Sequence, residues 1–366
     1  MLKLRAIISF LVISANLYLY FQVKAVLKRT SIDDASSQMN RRDVSAFFTP
    51  DVTSDQFGIS NGTYKKVAPP GIKNIQAANG IENVRLHSVT YASHSGKDDR
   101  FCRAIESSIR NGYDLIILGW GSTWHGLSQK LEAAHAYAAG LPPNDVMLFS
   151  DAYDVLYVDS PAGIVAQLDA MNATILFSAE CGCWPHILED NGRVCFENYP
   201  SSSSPYRYLN SGAWVGRAFN VKNMLFEIIE KAGNNFMNAN DQKLVANMFL
   251  NGRHNITLDY QTKVFQSMHM TLTPPLPVCD PKGDVIFDDK GKLTNKRTHG
   301  RPSIVHFNGG GKKYHLKIES EMWYKKEIHN SPEERKLIGD HLLSAPCFED
   351  GERQIKFKDF CPTYFP

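Results

Sequence analysis

The segment Val146-Met147-Leu148-Phe149-Ser150-Asp151-Ala152-Tyr153-Asp154-Val155 constrains this chain more than any other. An apolar run shaped like a buried strand breaks into a turn that carries two carboxylates, and open α/β sheets present their ligands at the ends of such strands. In a continuous strand, residues three apart point to opposite faces. Asp151 and Asp154 can therefore share one ion only if the chain turns at Ala152-Tyr153. Such a pair suits Mg²⁺ or Mn²⁺ carrying a diphosphate, because hard cations take oxygen ligands and leave positions for phosphate. A second reading stays open here, in which Ser150 or Asp151 caps a helix and Asp154 belongs to its first turn.

A later segment bears on the same ion. After the short apolar run Ser303-Ile304-Val305 come His306-Phe307-Asn308-Gly309-Gly310-Gly311-Lys312. A histidine ending a strand can complete a metal site. The glycines, Gly309 and Gly311 among them, let backbone N–H groups approach phosphate oxygens, and Lys312 supplies a point charge. The same residues also read as a strand with a core histidine followed by a glycine turn.

These segments and their spacing resemble the glycosyltransferase domain of the procollagen lysyl hydroxylase family, over roughly residues 84 to 325. The blocks that carry the resemblance are Leu118 through Gly126, Ser128-Gln129-Lys130, Phe149 through Val155, Phe177-Ser178-Ala179-Glu180 with Cys183-Trp184-Pro185, and Leu209-Asn210-Ser211-Gly212. Asp241-Gln242, Ile256 through Tyr260 with Val264-Phe265-Gln266, and His306 through Lys312 follow in the family's order. The resemblance implies an α/β GT-A-type nucleotide-sugar-binding, Rossmann-like fold with a mostly parallel central sheet.

It also implies roles. Asp151, Asp154 and His306 would hold Mn²⁺, with Lys312 facing the pyrophosphate of a UDP-sugar. Trp124 would stack or pack on the nucleotide, Lys130 would meet its phosphates or ribose, and Tyr153 would lie against the uracil. Trp184, Asn210 and Asp241 would look toward the donor sugar and the incoming hydroxyl, and Asn210 with Glu180 would select the sugar. Trp120 can equally pack beneath its loop, and Asp241 can equally cap a helix. The family precedes its Asp-Gln with several aspartates, whereas this chain reads Asn238-Ala239-Asn240-Asp241-Gln242, so the acceptor differs or is read differently.

Composition agrees with a globular enzyme: 43% of residues are hydrophobic and 21% charged, and the formal charge of +2 is near balance. No basic stripe or Cys/His finger spacing points to nucleic acid. Residues 1–6 read as a short cytoplasmic tail. Ile7 to Val23, flanked by Lys3, Arg5, Lys24, Lys28 and Arg29, reads as a signal anchor about 26 Å long as a helix, with a cleaved signal peptide as the rival. Residues 24–83, rich in Ser, Asp, Asn, Gly and Pro, read as a stem. The glycosyltransferase-like domain occupies 84–330 and a C-terminal extension 331–366.

The bulk of the chain is thereby expected in the lumen of the endoplasmic reticulum or Golgi, as a single-pass type II protein. Sequons at Asn61, Asn172 and Asn255 fit that placement. Seven cysteines permit three disulfides, with Cys347 and Cys361, which bracket a short polar tail, as the expected pair. Cys181-Gly182-Cys183 has no second pair at zinc spacing, which leaves a local disulfide or buried thiols.

Strands are expected at Val84 to Tyr91, Tyr113 to Leu118, Val146 to Phe149 and Thr174 to Ser178. Helices are expected at Asp99 to Arg110, Ser128 to Ala139 and Pro161 to Met171. No H-x-D or H-x-E is present to begin a non-haem iron site, so no hydroxylase activity is expected. The activity implied is Mn²⁺-dependent transfer of a hexose, glucose ahead of galactose, from a UDP-sugar to a hydroxyl of a protein, glycan or lipid, with retention. A catalytically silent lumenal scaffold that keeps the fold for partner binding is the alternative, and a metal-dependent phosphohydrolase a third reading.

Overall fold

A computed structural model describes residues 84–94, 99–272, 276, 278–326, 336, 340, 344, 346–349 and 353–364. The expected tail, anchor and stem, with the sequon at Asn61, lie outside these residues. Among the described residues, no helix is long and apolar enough to cross a membrane.

Thirteen strands are described: β1 (Leu86–Tyr91), β2 (Leu115–Leu118), β3 (Val146–Ser150), β4 (Val155–Tyr157), β5 (Ile175–Glu180), β6 (Tyr208–Arg217), β7 (Ile256–Leu258), β8 (Phe265–Ser267), β9 (Val285–Phe287), β10 (Leu293–Asn295), β11 (Ile304–His306), β12 (Pro346–Glu349) and β13 (Arg353–Lys356). The main sheet has the order β13-β12-β2-β1-β3-β6-β5-β7. Six of its strands run the same way, and only β6 and β13 oppose them. Every residue of β2 and β3 is buried, as expected for apolar runs covered on both faces.

The covering helices are α1 (Arg100–Arg110), α2 (Gln129–Ala139), α3 (Ile164–Ala170) and α4 (Ala218–Ala232), joined at one end of the sheet by α5 (Asp241–Leu250). Alternation along the strands divides the core. Phe149, Phe177 and Trp214 face α2 and α4, where Val221, Met224, Leu225 and Ile228 form one apolar stripe. Leu148, Leu176 and Val215 face α1 and α3. The ring of Phe149 stacks on Trp214 with centroids 5.1 Å apart.

Two departures from regularity build the site. β6 enters antiparallel between β3 and β5, with Ser150 opposite Ala213. Its register against β5 then jumps, so that Phe177 pairs with Trp214 while Ser178 pairs with Asn210, leaving Ser211, Gly212 and Ala213 as a bulge. The second departure is a separate three-stranded sheet, β4-β11-β8, in which β11 sets His306 opposite Val155 on one side and Ser267 on the other. No helix follows β3. Asp154 leads directly into β4, which removes the capping reading for Ser150 and Asp151.

The cysteine pairing differs from expectation. Cys361 bonds Cys102 on α1 rather than Cys347, because the C-terminal residues fold back beside β2 and bring Phe360 against Trp120, 4.8 Å between centroids. Cys183 makes a local disulfide with Cys195, 12 residues on, while Cys181 reaches the distant Cys279, so the Cys-Gly-Cys motif carries two disulfides and no free thiol. Asn172 and Asn255 are both exposed, in neighbouring turns joined by the Thr174 hydroxyl, which donates to the Asn255 carbonyl at 3.2 Å.

One buried residue gives the fold a pH dependence. His315 packs edge-on against Phe307, and burial, aided by the Arg103 charge, lowers its imidazole to about 4. The unfolded chain therefore binds a proton that the folded chain refuses. This stability is complete above about pH 6.5 and is lost as pH falls toward 4. His315→Leu should flatten that slope: between pH 7 and 4.5 the wild type should lose about 2 kcal/mol more unfolding free energy in urea than the variant. Equal losses in both proteins would dismiss His315 as the cause.

Candidate functional site

Asp151 closes β3, and its N–H donates to the Gly212 carbonyl at 2.7 Å on the β6 bulge. Asp154 opens β4, and its carbonyl accepts from Phe307 N–H at 2.7 Å, just after His306 ends β11. The main sheet and the small sheet thus each deliver part of one cluster. His306 Nε2 stands 3.6 Å from Asp151 and 3.4 Å from Asp154, and one ligand atom from each of the three residues lies within 4.8 Å of the others. Lys312 Nζ approaches Asp154 at 3.3 Å from a half-exposed position.

The ring of His306 is oriented. Its Nδ1 lies 2.9 Å from Asn210 Oδ1, which also accepts the Gly212 N–H at 3.0 Å. Because that amide oxygen can only accept, Nδ1 carries the proton and Nε2 turns its lone pair toward the carboxylates. Gly212 makes the convergence possible: a Cβ there would come within 2.1 Å of the His306 ring and 2.7 Å of Asp151. Burial opposes ionisation of Asp154, yet His306 and Lys312 outweigh it and hold the carboxyl far below the usual range. Burial likewise opposes charge on His306, but Asp154 and Asp151 raise it overall.

Below the cluster, Glu180 is fully buried and receives Asn210 at 2.9 Å, Gln242 at 2.9 Å and Asn308 at 2.7 Å. Burial dominates these three donors and raises its pKa. Lys130 sits between Asp151 Oδ1 at 2.8 Å and Asp241 Oδ2 at 2.9 Å, and their charges raise its pKa against the effect of burial.

Two cavities meet at these acids. One of about 440 Å³ is lined by Tyr91, Trp124, Tyr153 and Lys312. The other, of about 350 Å³, is lined by Glu180, Trp184, Asn210, Asp241, His269 and Gly309. Lys130, Asp151 and Asp154 border both. Trp124 and Trp184 each leave nearly half of their surface open.

Most of the residues singled out in the sequence therefore converge on one place, with three refinements. Lys130 is engaged by two carboxylates rather than open to a phosphate. Gly311 is buried against Met268, and its N–H donates back to Asn308, so it offers the cavity no donor. Asp241 does not cap α5: Asn240 does, accepting from Lys243 N–H at 2.9 Å, while Asp241 turns inward to take the Ser211 hydroxyl at 2.8 Å. Trp120 stacks on Phe101, 5.5 Å between centroids, and packs beneath its loop. Sequence reasoning missed His269, which follows β8 with no motif to flag it, and it assigned no role to Asn308 and Gln242, although both lie in the matched blocks.

Two carboxylates and an oriented imidazole within reach of one point are a donor set that fits a divalent metal ion.

A family profile described as PLOD GT domain matches residues 82–326. The chain is 29% identical over 232 residues to the procollagen-lysine,2-oxoglutarate 5-dioxygenase of Drosophila melanogaster, which covers 58% of this chain and 29% of that protein. It is 24% identical to the multifunctional procollagen lysine hydroxylase and glycosyltransferase of Rattus norvegicus, over 64% of this chain and 31% of that one. An uncharacterized protein of Acanthamoeba polyphaga mimivirus is also 24% identical, over 65% of this chain and 49% of its own. The chain thus spans less than half the length of these relatives. A solved 4-diphosphocytidyl-2C-methyl-D-erythritol synthase from Anaerococcus prevotii aligns with a TM-score of 0.29 at 7% identity, over 47% of this chain and 85% of that one, too loose a match to bear on the fold. The family match covers both cavities and the acids between them, and with it the chain belongs to the PLOD GT domain family, glycosyltransferase domains of GT-A type.

Proposed function

We propose that this protein transfers a hexose from a UDP-sugar to a hydroxyl of a protein or glycan, with Mn²⁺ held by Asp151, Asp154 and His306. The observation that carries the proposal is the position of that cluster, at the junction of an aromatic cavity and an acidic one. When bound, the ion supplies positive charge to the diphosphate leaving group. Lys312 adds a half-exposed charge on the aromatic side, where Trp124 and Tyr153 offer faces to a uracil. Glu180, Asn210 and Trp184 line the place left for the sugar. Asp241, in its polar pocket with Ser211 and Lys130, would orient the acceptor hydroxyl or take its proton.

Glucose ahead of galactose, and retention at the anomeric carbon, follow from the family resemblance and belong to this proposal. So does a lumenal compartment, which the three disulfides support. The replacement of the family's acidic run by Asn238 and Asn240 favours an acceptor less cationic than a collagen-like lysine-rich segment.

Chelation tests the proposal. EDTA should abolish turnover of UDP-glucose or UDP-galactose by the purified protein, and Mn²⁺ should restore it, with UDP and free or transferred hexose as products. Turnover indifferent to EDTA, or release of inorganic phosphate in place of UDP, would refute it.

A further inference from the structure

His269 lies just beyond β8, in no block that the sequence reading assigned a role. Its main chain is fixed from two sides: Met268 N–H donates to the His306 carbonyl at 2.9 Å, and His269 N–H donates to Asn308 Oδ1 at 3.0 Å. Its ring occupies a slot that exists because two glycines border it. A Cβ on Gly182 would come within 2.5 Å of the ring, and one on Gly309 within 2.5 Å of Nδ1. Gly182 lies between Cys181 and Cys183, whose disulfides run to Cys279 and Cys195. Gly309 begins the turn that carries Lys312. The imidazole is therefore wedged between the wall of the acidic cavity and the lysine-bearing turn.

The ring's hydrogen bonding fixes what it offers. Gly310 N–H donates to Nδ1 at 3.3 Å, so Nδ1 keeps its lone pair and, in the neutral ring, the proton sits on Nε2. Nε2 stands 2.9 Å and Glu180 Oε2 3.4 Å from where a Cβ on Gly182 would be, and His269 lines the acidic cavity with Glu180, Asn210 and Trp184. The carboxylate oxygens of Glu180 already take three amide donors. A ligand entering this cavity thus meets, beside a carboxylate that already takes three donors, an imidazole N–H whose direction is set from behind.

We infer that His269 is a specificity residue of the donor sugar: its Nε2–H donates to a hydroxyl of the hexosyl group, and its Nδ1 ties that contact to the turn that carries Lys312. The inference rests on the reading of this cavity as the sugar subsite given above. Hydroxyl recognition by a positioned donor separates epimers, because the epimer that lacks a hydroxyl there leaves the N–H unpaired. The contact belongs to the sugar and not to UDP.

The test compares wild type with His269→Phe and His269→Gln, reading three quantities: affinity for UDP with Mn²⁺, kcat/KM for UDP-glucose and for UDP-galactose, and the ratio of the two. Phenylalanine keeps the ring in its slot without a donor, and glutamine can return an N–H. His269→Phe should bind UDP within about threefold of wild type, lose at least about tenfold in kcat/KM for the preferred sugar, and flatten the epimer ratio. His269→Gln should recover part of both. A phenylalanine variant with the wild-type ratio, or one that loses UDP affinity as strongly as kcat/KM, would overturn the inference and make the ring a prop for the turn. A wild-type protein that neither binds UDP nor turns over either sugar would remove the inference together with the function on which it rests.

Discussion

Asp154→Asn should leave the fold intact and lower kcat/KM for the UDP-sugar by at least about 10²-fold to 10³-fold, the range seen when one preorganised charge-stabilising group is deleted. Asparagine keeps the size of the side chain and one oxygen, so the chain can still pass from the β3 end into β4. What it loses is charge at the point where His306, at 3.4 Å, and Lys312, at 3.3 Å, both converge. Burial works against that charge and the two cationic neighbours hold it in place, so the carboxylate is ionised throughout the working pH range of a neutral-pH enzyme. The Mn²⁺ concentration for half-maximal activity should rise at least tenfold as well, since a neutral amide is a poorer ligand for a divalent ion. Thermal unfolding should fall by only a few degrees: His306 and Lys312 lose the carboxylate that offsets them, while the amide keeps the size of the side chain. Activity within tenfold of wild type at the same half-saturating Mn²⁺ would show that Asp154 is no ligand.

The sequence made some of this site legible and concealed the rest for identifiable reasons. Asp151 and Asp154 stood out because two acids after an apolar run need a purpose, and His306 because glycines and a lysine follow it. Their convergence was not readable from local pattern. It depends on β11 pairing with β4 across a gap of about 150 residues and on a bulge in β6 that turns Asn210 and Gly212 toward the ion site. The four strands and three helices of the first half were legible from apolar runs and turn residues, with ends shifted by up to three residues, whereas β6, α4 and α5 were not. Cys102–Cys361 was hidden because a 259-residue separation leaves no trace in local spacing. Asp241 illustrates a subtler limit: Asn240 and Asp241 are both good cap residues, and only the buried position of Lys130 shows why the second turns inward while the first caps α5. His269 was invisible because its role depends on two glycines far apart in sequence that make room for one ring.

Gly212→Ala tests that convergence more severely than any ligand substitution, because it adds one methyl group and removes nothing. The backbone at Gly212 is in a conformation open to any residue, so the whole effect is one of space. The new Cβ would stand 2.1 Å from His306 Cε1, 2.8 Å from Nδ1 and 2.7 Å from Asp151 Oδ2, all inside ordinary contact distance. Neither neighbour can yield cheaply. β11 is paired on both sides, so His306 can escape only by rotating its ring off Asn210, and Asp151 is a short side chain whose own N–H is bonded to the Gly212 carbonyl. The overpacking should cost about 1–3 kcal/mol of stability. The displaced imidazole should lower Mn²⁺-dependent turnover at least about 10²-fold, as expected when a ligand leaves the geometry that its supporting hydrogen bond maintains. Gly163→Ala, where nothing lies within 4 Å of the added carbon, serves as the control and should match wild type in both respects. If Gly212→Ala kept wild-type turnover and Mn²⁺ half-saturation while the control behaved as stated, His306 and Asp151 would not share an ion, and the chemistry assigned to the junction of the two sheets would have to lie elsewhere.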